Sequence, residues 1–198
     1  MSATQDLIDA AKNGDLEKVR RLTINNNNVN YVDEDGKTLL YWAAIMGHVE
    51  LCKHLISVCN NIDNANKLGM TPLYWAAKNG DLGICKLLVE GGADINKSDN
   101  CPTPLHAAVS NGHVVVCKCL VEGGADISKI DNVGRTPRQV AECYFKREVI
   151  DYLKSVEEER AEIMFVFKRA HIDNDEKEDD DDNTEIDNET ASTAAEEK

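Results

Sequence analysis

The sequence predicts an all-α fold: a solenoid of about five stacked helix-turn-helix units that ends in a disordered acidic C-terminal tail. Three observations predict it. The pentapeptide LYWAA occurs at residues 40–44 and again at 73–77, 33 residues apart, and it holds both tryptophans of the 198-residue chain. Threonines opening one shared pattern stand at Thr38, Thr71, Thr103 and Thr136, at spacings of 33, 32 and 33. Charge is the third: residues 173–198 carry 13 acidic and 2 basic side chains, whereas residues 1–172 carry 23 and 20. A fixed period of this length marks units that bury their apolar faces only against one another.

The elements follow in order. Residues 4–32 form a first unit without a turn, in which TQDLIDAAKNGDLEKVRRL supplies both helices. Its Asp6, Asp9, Lys12, Asp15, Glu17 and Lys18 suit an end that faces water. The next units span 33–65, 66–98 and 99–130. Each has a Gly- or Asn-bearing turn, then a threonine whose oxygen caps a first helix; in the third and fourth units TPL puts proline at the first helical position. That helix ends at Gly47, Gly80 or Gly112, where a left-handed residue stops it. The second helix carries Leu51/Leu55, Ile84/Leu88 or Val116/Leu120 on one face at four-residue spacing. GGAD at 91–94 and 123–126 ends it, whereas the second unit ends in VCNNID and should have a different outer loop. The turn DNCPTP is one residue short, with Cys101 where the others have glycine, so it too should differ. A fifth unit, 131–155, replaces apolar residues by Arg138, Gln139 and Glu142, as a terminal cap would.

Beyond it, residues 156–172 are expected to prolong the last helix. Val149, Leu153, Val156, Ile163 and Phe167 keep near-helical spacing, so the extension should fold back over the last unit. The alternative is that EIMFVFKR is a short recognition segment. Residues 173–198 combine self-repelling charge with almost no apolar content and should be disordered.

The unit GMTPLYWAAKNGDLGICKLLVEGGADIN resembles an ankyrin repeat, and the likeness holds in register from residue 4 to about 155. The resemblance implies an extended concave surface made by turn tips and first helices, used to bind other proteins. It also implies a histidine that braces neighbouring turns. His106 keeps it, but Tyr41 and Tyr74 replace it in the two preceding units, which puts the bracing there in question. Trp42 and Trp75 are expected to stack into the core between units, the alternative being partial exposure on the concave face as binding anchors. Asn96, in LVEGGADIN, resembles an asparagine-hydroxylation motif, but closing the turn between units explains it as well.

Few residues are arranged for chemistry. Cys52, Cys85 and Cys117 recur at one register position, but packed helices lie about 8–10 Å apart, too far for thiolates sharing one zinc. They read as small buried hydrophobes, while Cys59 and Cys101 are expected at the surface. His48 and His113 begin helices and read as packing residues. No catalytic triad order, H-E-x-x-H, phosphate loop or C-x-x-C pair occurs, so no enzyme, cofactor or metal site is expected. A net charge of −14 disfavours direct nucleic-acid binding. No apolar run approaches the roughly 20 residues of a membrane span. No secretory signal and an odd count of 7 cysteines suggest a reducing compartment. The expected location is cytoplasmic, with the nucleus, or secretion by an intracellular bacterium, as further readings.

Carried over through the resemblance, the variable concave positions fall on Glu34, Asp35, Lys37, Ile45 and Met46, then on Lys67, Leu68, Met70, Lys78 and Asn79. Asn100, Pro102, Ser110 and Asn111 follow, and the fifth turn gives Asn132, Val133 and Arg135. Ile45, Met46, Leu68 and Met70 are expected as four exposed apolar side chains rimmed by charge, which is how an interface centre is built. The expected function is therefore a monomeric protein–protein interaction module or regulator, with an unidentified protein partner on the concave face and no small-molecule substrate. Two alternatives are a self-assembling structural protein and an acidic-tail binder or chaperone of basic proteins.

Overall fold

The computed structural model describes residues 3–24, 28–98 and 102–175, with the backbone alone for residues 3 and 170–175. It is all-helical. Paired helices succeed one another as α1 (Ala3–Lys12) and α2 (Leu16–Thr23), α3 (Leu39–Ile45) and α4 (Val49–Val58), α5 (Pro72–Asn79) and α6 (Leu82–Glu90), then α7 (Pro104–Asn111) and α8 (Val114–Glu122). The last pair is α9 (Pro137–Cys143) and α10 (Arg147–Asp175). The chain divides into two compact parts, Met1–Ser155 and Val156–Lys198.

In the first part, α1, α3, α5, α7 and α9 pack side by side in sequence order, and α4, α6 and α8 form a second layer. The sequence dictates the start of each inner helix. The side-chain oxygens of Thr38 and Thr71 accept the N–H groups of Tyr41 and Tyr74 at 3.1 Å. At Thr103 and Thr136 the cap is reciprocal, because His106 and Gln139 accept the threonine N–H in return. Such a cap contributes about 1 kcal/mol. Gly47, Gly80 and Gly112 then take φ values of +78°, +81° and +78° and end the helices.

The core lies between the layers: Leu51, Leu55, Ile84, Leu88, Val116 and Leu120 are buried, as are Cys52, Cys85 and Cys117. The same landmark position stitches successive outer loops together. Asn30 accepts the N–H of Asn60 at 2.9 Å, Asp63 that of Asp94 at 3.1 Å, and Asn96 that of Asp126 at 2.8 Å. The outer loop of the second unit differs as expected: α4 stops at an extended residue, Cys59 (φ −81°, ψ 151°), with no left-handed glycine. The shortened turn at residues 99–101, including Asn100 and Cys101, lies outside the described residues.

In α10, Val149 and Leu153 are buried. The second part continues the helix through Asp175. The rest of the acidic tail lies outside the described residues. In the second part, described by itself, Ile163 and Phe167 are exposed, with Met164, Phe165 and Val166 between them. Five consecutive apolar residues circle a helix, so no single packing face could take them all. No helix among the described residues is long and apolar enough to cross a membrane.

Candidate partner-binding face

Three turns of one design project ahead of the inner helices. In each, an Asp or Asn side chain closes the loop on two backbone N–H groups. Asp33 accepts from Asp35 and Lys37 at 3.0 and 2.9 Å, Asn66 from Leu68 and Met70 at 3.0 Å, and Asp131 from Val133 and Arg135 at 3.0 and 2.9 Å. The glycines between, Gly36, Gly69 and Gly134, stand at φ +81° to +84°, which a side chain at those positions would disfavour. The Lys67 N–H donates to the Asp35 carbonyl at 3.0 Å, tying one turn to the next. Backbones held this way present their tip side chains in fixed directions.

Among the tip residues, Glu34, Asp35, Lys67, Asn132 and Val133 are exposed, and Lys37, Pro102 and Arg135 are half-buried. Lys37 pairs with Asp35 at 2.8 Å, and that hydrogen bond holds the Asp35 carboxyl below its ordinary range. Arg135 pairs with the buried Asp131 at 2.9 Å. The expected apolar quartet is split. Leu68 is 65% and Met46 49% exposed, but Ile45 and Met70 are half-buried, because the neighbouring unit covers part of each first helix and turn. On the same helices Lys78 and Ser110 are half-buried, and Asn79 and Asn111 are exposed. The Asn79 amide donates to the Ile45 carbonyl at 2.9 Å.

The tryptophans do not disappear into the core. Both are half-buried. Lys12 and Lys37 lie over the Trp42 ring with Nζ 4.1 and 4.7 Å from its centroid, and Lys78 lies 4.5 Å from that of Trp75. Such cation–π contacts are worth about 0.5–1 kcal/mol at exposed positions. The Trp42 indole donates to Asp33 at 3.1 Å. The buried Nε1 of Trp75 has no hydrogen-bond partner among the described residues, although its ring meets that of Tyr41 edge-on at 6.4 Å.

Tyr41 keeps the bracing by other means. Asn66 donates its amide to the Tyr41 hydroxyl at 2.9 Å, so the first helix of the second unit holds the turn of the third. A phenol reaches across where imidazole would, and the sequence signal was the pairing of Tyr41 with an asparagine at the turn. His106 does the same job: its Nε2 donates to the Arg135 carbonyl at 3.0 Å, and burial pushes its pKa below the ordinary value. His48 and His113 donate to the carbonyls of Lys12 and Lys78 at 2.8 and 3.1 Å, which supports their packing role. Asn96 is fully engaged in closing the loop: besides accepting from Asp126, it donates to Gly124 at 3.2 Å.

Burial pushes the Cys52, Cys85 and Cys117 thiols up to about 12, which suppresses the reactive thiolate. Cys59, expected at the surface, is half-buried, and burial raises its pKa as well. Cys143 is the exposed thiol among the described residues, and no sequence pattern singles it out.

Two grooves run along this face. One, of about 430 Å³, lies between Lys12, Tyr31, Glu34, Lys37 and Trp42. The other, of about 340 Å³, lies between Tyr74, Lys78, His106, Ser110, Arg135 and Tyr144. Lys12 and Tyr144 are additions to the face expected from sequence. The signal for Lys12 was present: AAKNG stands at 10–14 and again at 76–80, which puts Lys12 in register with Lys78. Next to Tyr144, Phe145 occupies the register of the helix-ending glycines at φ +55° and is 89% exposed.

The family model described as ankyrin repeats (3 copies) matches residues 7–99 and 97–164. No curated protein matches the chain. The match covers most of the chain, and the threonine caps, turn glycines and paired helices recur in its register. The chain belongs to the ankyrin-repeat family.

Proposed function

We propose that this protein is a regulator or adaptor that binds a partner protein on the concave face formed by its turn tips and first helices. Ankyrin repeats are in general protein–protein interaction modules, and the family is typically non-enzymatic. The observation that carries the reading is the exposure of Met46 and Leu68 beside two half-exposed tryptophans on adjacent repeats. The fold does not require apolar residues there, water disfavours them, and aromatic anchors ringed by charge make good contact centres. The six cysteines described are unpaired, which favours a reducing compartment such as the cytoplasm or nucleus.

The test is affinity capture from cell lysate with three baits: the full chain, residues 1–172, and Met46→Glu/Leu68→Glu, each checked for helical content by circular dichroism. A partner held by the first two baits and lost about tenfold or more with the third supports the concave face, since a buried unpaired carboxylate is costly. A partner lost only on truncation would move the function to the acidic tail. Self-association abolished by the double substitution would make the partner a second copy.

A further inference from the structure

The geometry points to a partner segment that is anionic, carrying two carboxylates about five to six residues apart with apolar side chains between them. This rests on the concave-face reading above and adds the chemistry of the partner. The carrying observation is one register position that reads Lys12, Ile45, Lys78 in three successive repeats. All three are fixed from the next repeat. The Lys12 carbonyl accepts from His48 at 2.8 Å, the Ile45 carbonyl from Asn79 at 2.9 Å and the Lys78 carbonyl from His113 at 3.1 Å.

The two lysines also share a state. Each ammonium lies over a tryptophan ring, at 4.1 and 4.5 Å, and neither has a carboxylate within ion-pair distance among the described residues. Among the described residues they are therefore cations held in place without a paired carboxylate. Among the described residues, the turn carboxylates beside them are largely engaged: Asp33 by the turn and Trp42, Asp35 by Lys37, and Asp131 by the turn and Arg135. Glu34 at the first tip is the exception. Although the chain has a net charge of −14, its described residues thus keep two lysines without a paired carboxylate on the face where the exposed Met46 and Leu68 also lie.

The spacing follows from the repeat. Helices packed about 8–10 Å apart place Lys12 and Lys78 about 16–20 Å apart, and an extended chain rises about 3.3 Å per residue, which sets the two carboxylates about five to six residues apart. The stretch between passes Ile45 and Met46, so apolar side chains belong there. A basic segment would meet the same lysines at a loss.

A random library of twelve-residue peptides displayed on phage, panned on the full chain, tests this without assuming a partner. The peptides that count are those retained by the native chain and lost on Met46→Ser/Leu68→Ser, a change that adds no charge. They should be enriched in Asp and Glu at that spacing. As fluorescein-labelled synthetic peptides read by anisotropy, they should bind Lys12→Gln/Lys78→Gln about tenfold or more weakly, since each lost charge-assisted bond counts for roughly that factor. Lys12→Arg/Lys78→Arg should restore binding, and added salt should weaken it. Face-dependent peptides that are neutral or basic, or acidic ones indifferent to the lysine changes, overturn the anionic partner and leave the concave-face reading standing. If no peptide depends on Met46 and Leu68, both fall.

Discussion

His106 is where acidity should reach the fold. Its Nε2–H donates to the Arg135 carbonyl, which leaves Nδ1 without a proton to accept from the Thr103 N–H at 3.3 Å. A second proton would set two donors against each other inside the core, and burial already holds the pKa below its ordinary value. With the folded pKa lower than the unfolded one, the unfolded chain takes up the proton first. Stability is therefore full above about pH 6.5 and falls as the pH drops below it. Thermal melts should show a lower Tm at pH 5.5 than at 7.5, with a flatter profile in His106→Gln. A loss of 1 kcal/mol lowers Tm by roughly 2–4 °C for a chain of this size. His54, also depressed, first by burial, should keep part of the slope in the variant. An identical slope in His106→Gln would assign the acid sensitivity elsewhere.

At the scale of elements, the helix-ending glycines do two jobs, and only one was legible in the sequence. The left-handed turn could be read from AAKNG and SNG. The reason that Gly80 also needs an empty Cβ could not, because it comes from the next repeat: a methyl there would lie 2.7 Å from Nδ1 of His113. Gly92 has a similar φ, +89°, but a methyl there would meet nothing within 4 Å. Gly92→Ala should cost about 1–2 kcal/mol, the backbone penalty alone. Gly80→Ala should cost about 3 kcal/mol or more, since it adds displacement of His113 and loss of its bond to Lys78. Urea titrations measure both, and His113→Ala should partly relieve Gly80→Ala in a double-mutant cycle. Equal costs at the two glycines would mean that the imidazole moves aside freely. The same distinction explains Tyr41, whose departure from histidine was visible while its bond to Asn66 was a matter of reach between repeats.

For the whole molecule, the period made the stack legible, because caps, turns and apolar faces all recur within one repeat. What lies across repeats was less so: the partial covering of Ile45 and Met70, and the lysines over the tryptophans. A stack of this kind has stability that is a sum over repeats and their interfaces, so it should not be uniform along the chain. Burial gives the order. α7 buries Pro104, Leu105, His106, Ala107, Ala108 and Val109 and packs between α5 and α9, whereas α2 buries Val19 alone. Hydrogen exchange followed by mass spectrometry should therefore find the slowest amides in α5 and α7 and far faster ones in α2 and in α10 beyond Leu153. Leu105→Ala, which opens a cavity in the slow region at about 2–5 kcal/mol, should speed exchange throughout the stack. Val19→Ala should speed α1 and α2 and leave α7 nearly unchanged. Equal acceleration of every helix by Val19→Ala would show one all-or-none cooperative body, in which coupling between repeats outweighs the difference in their burial.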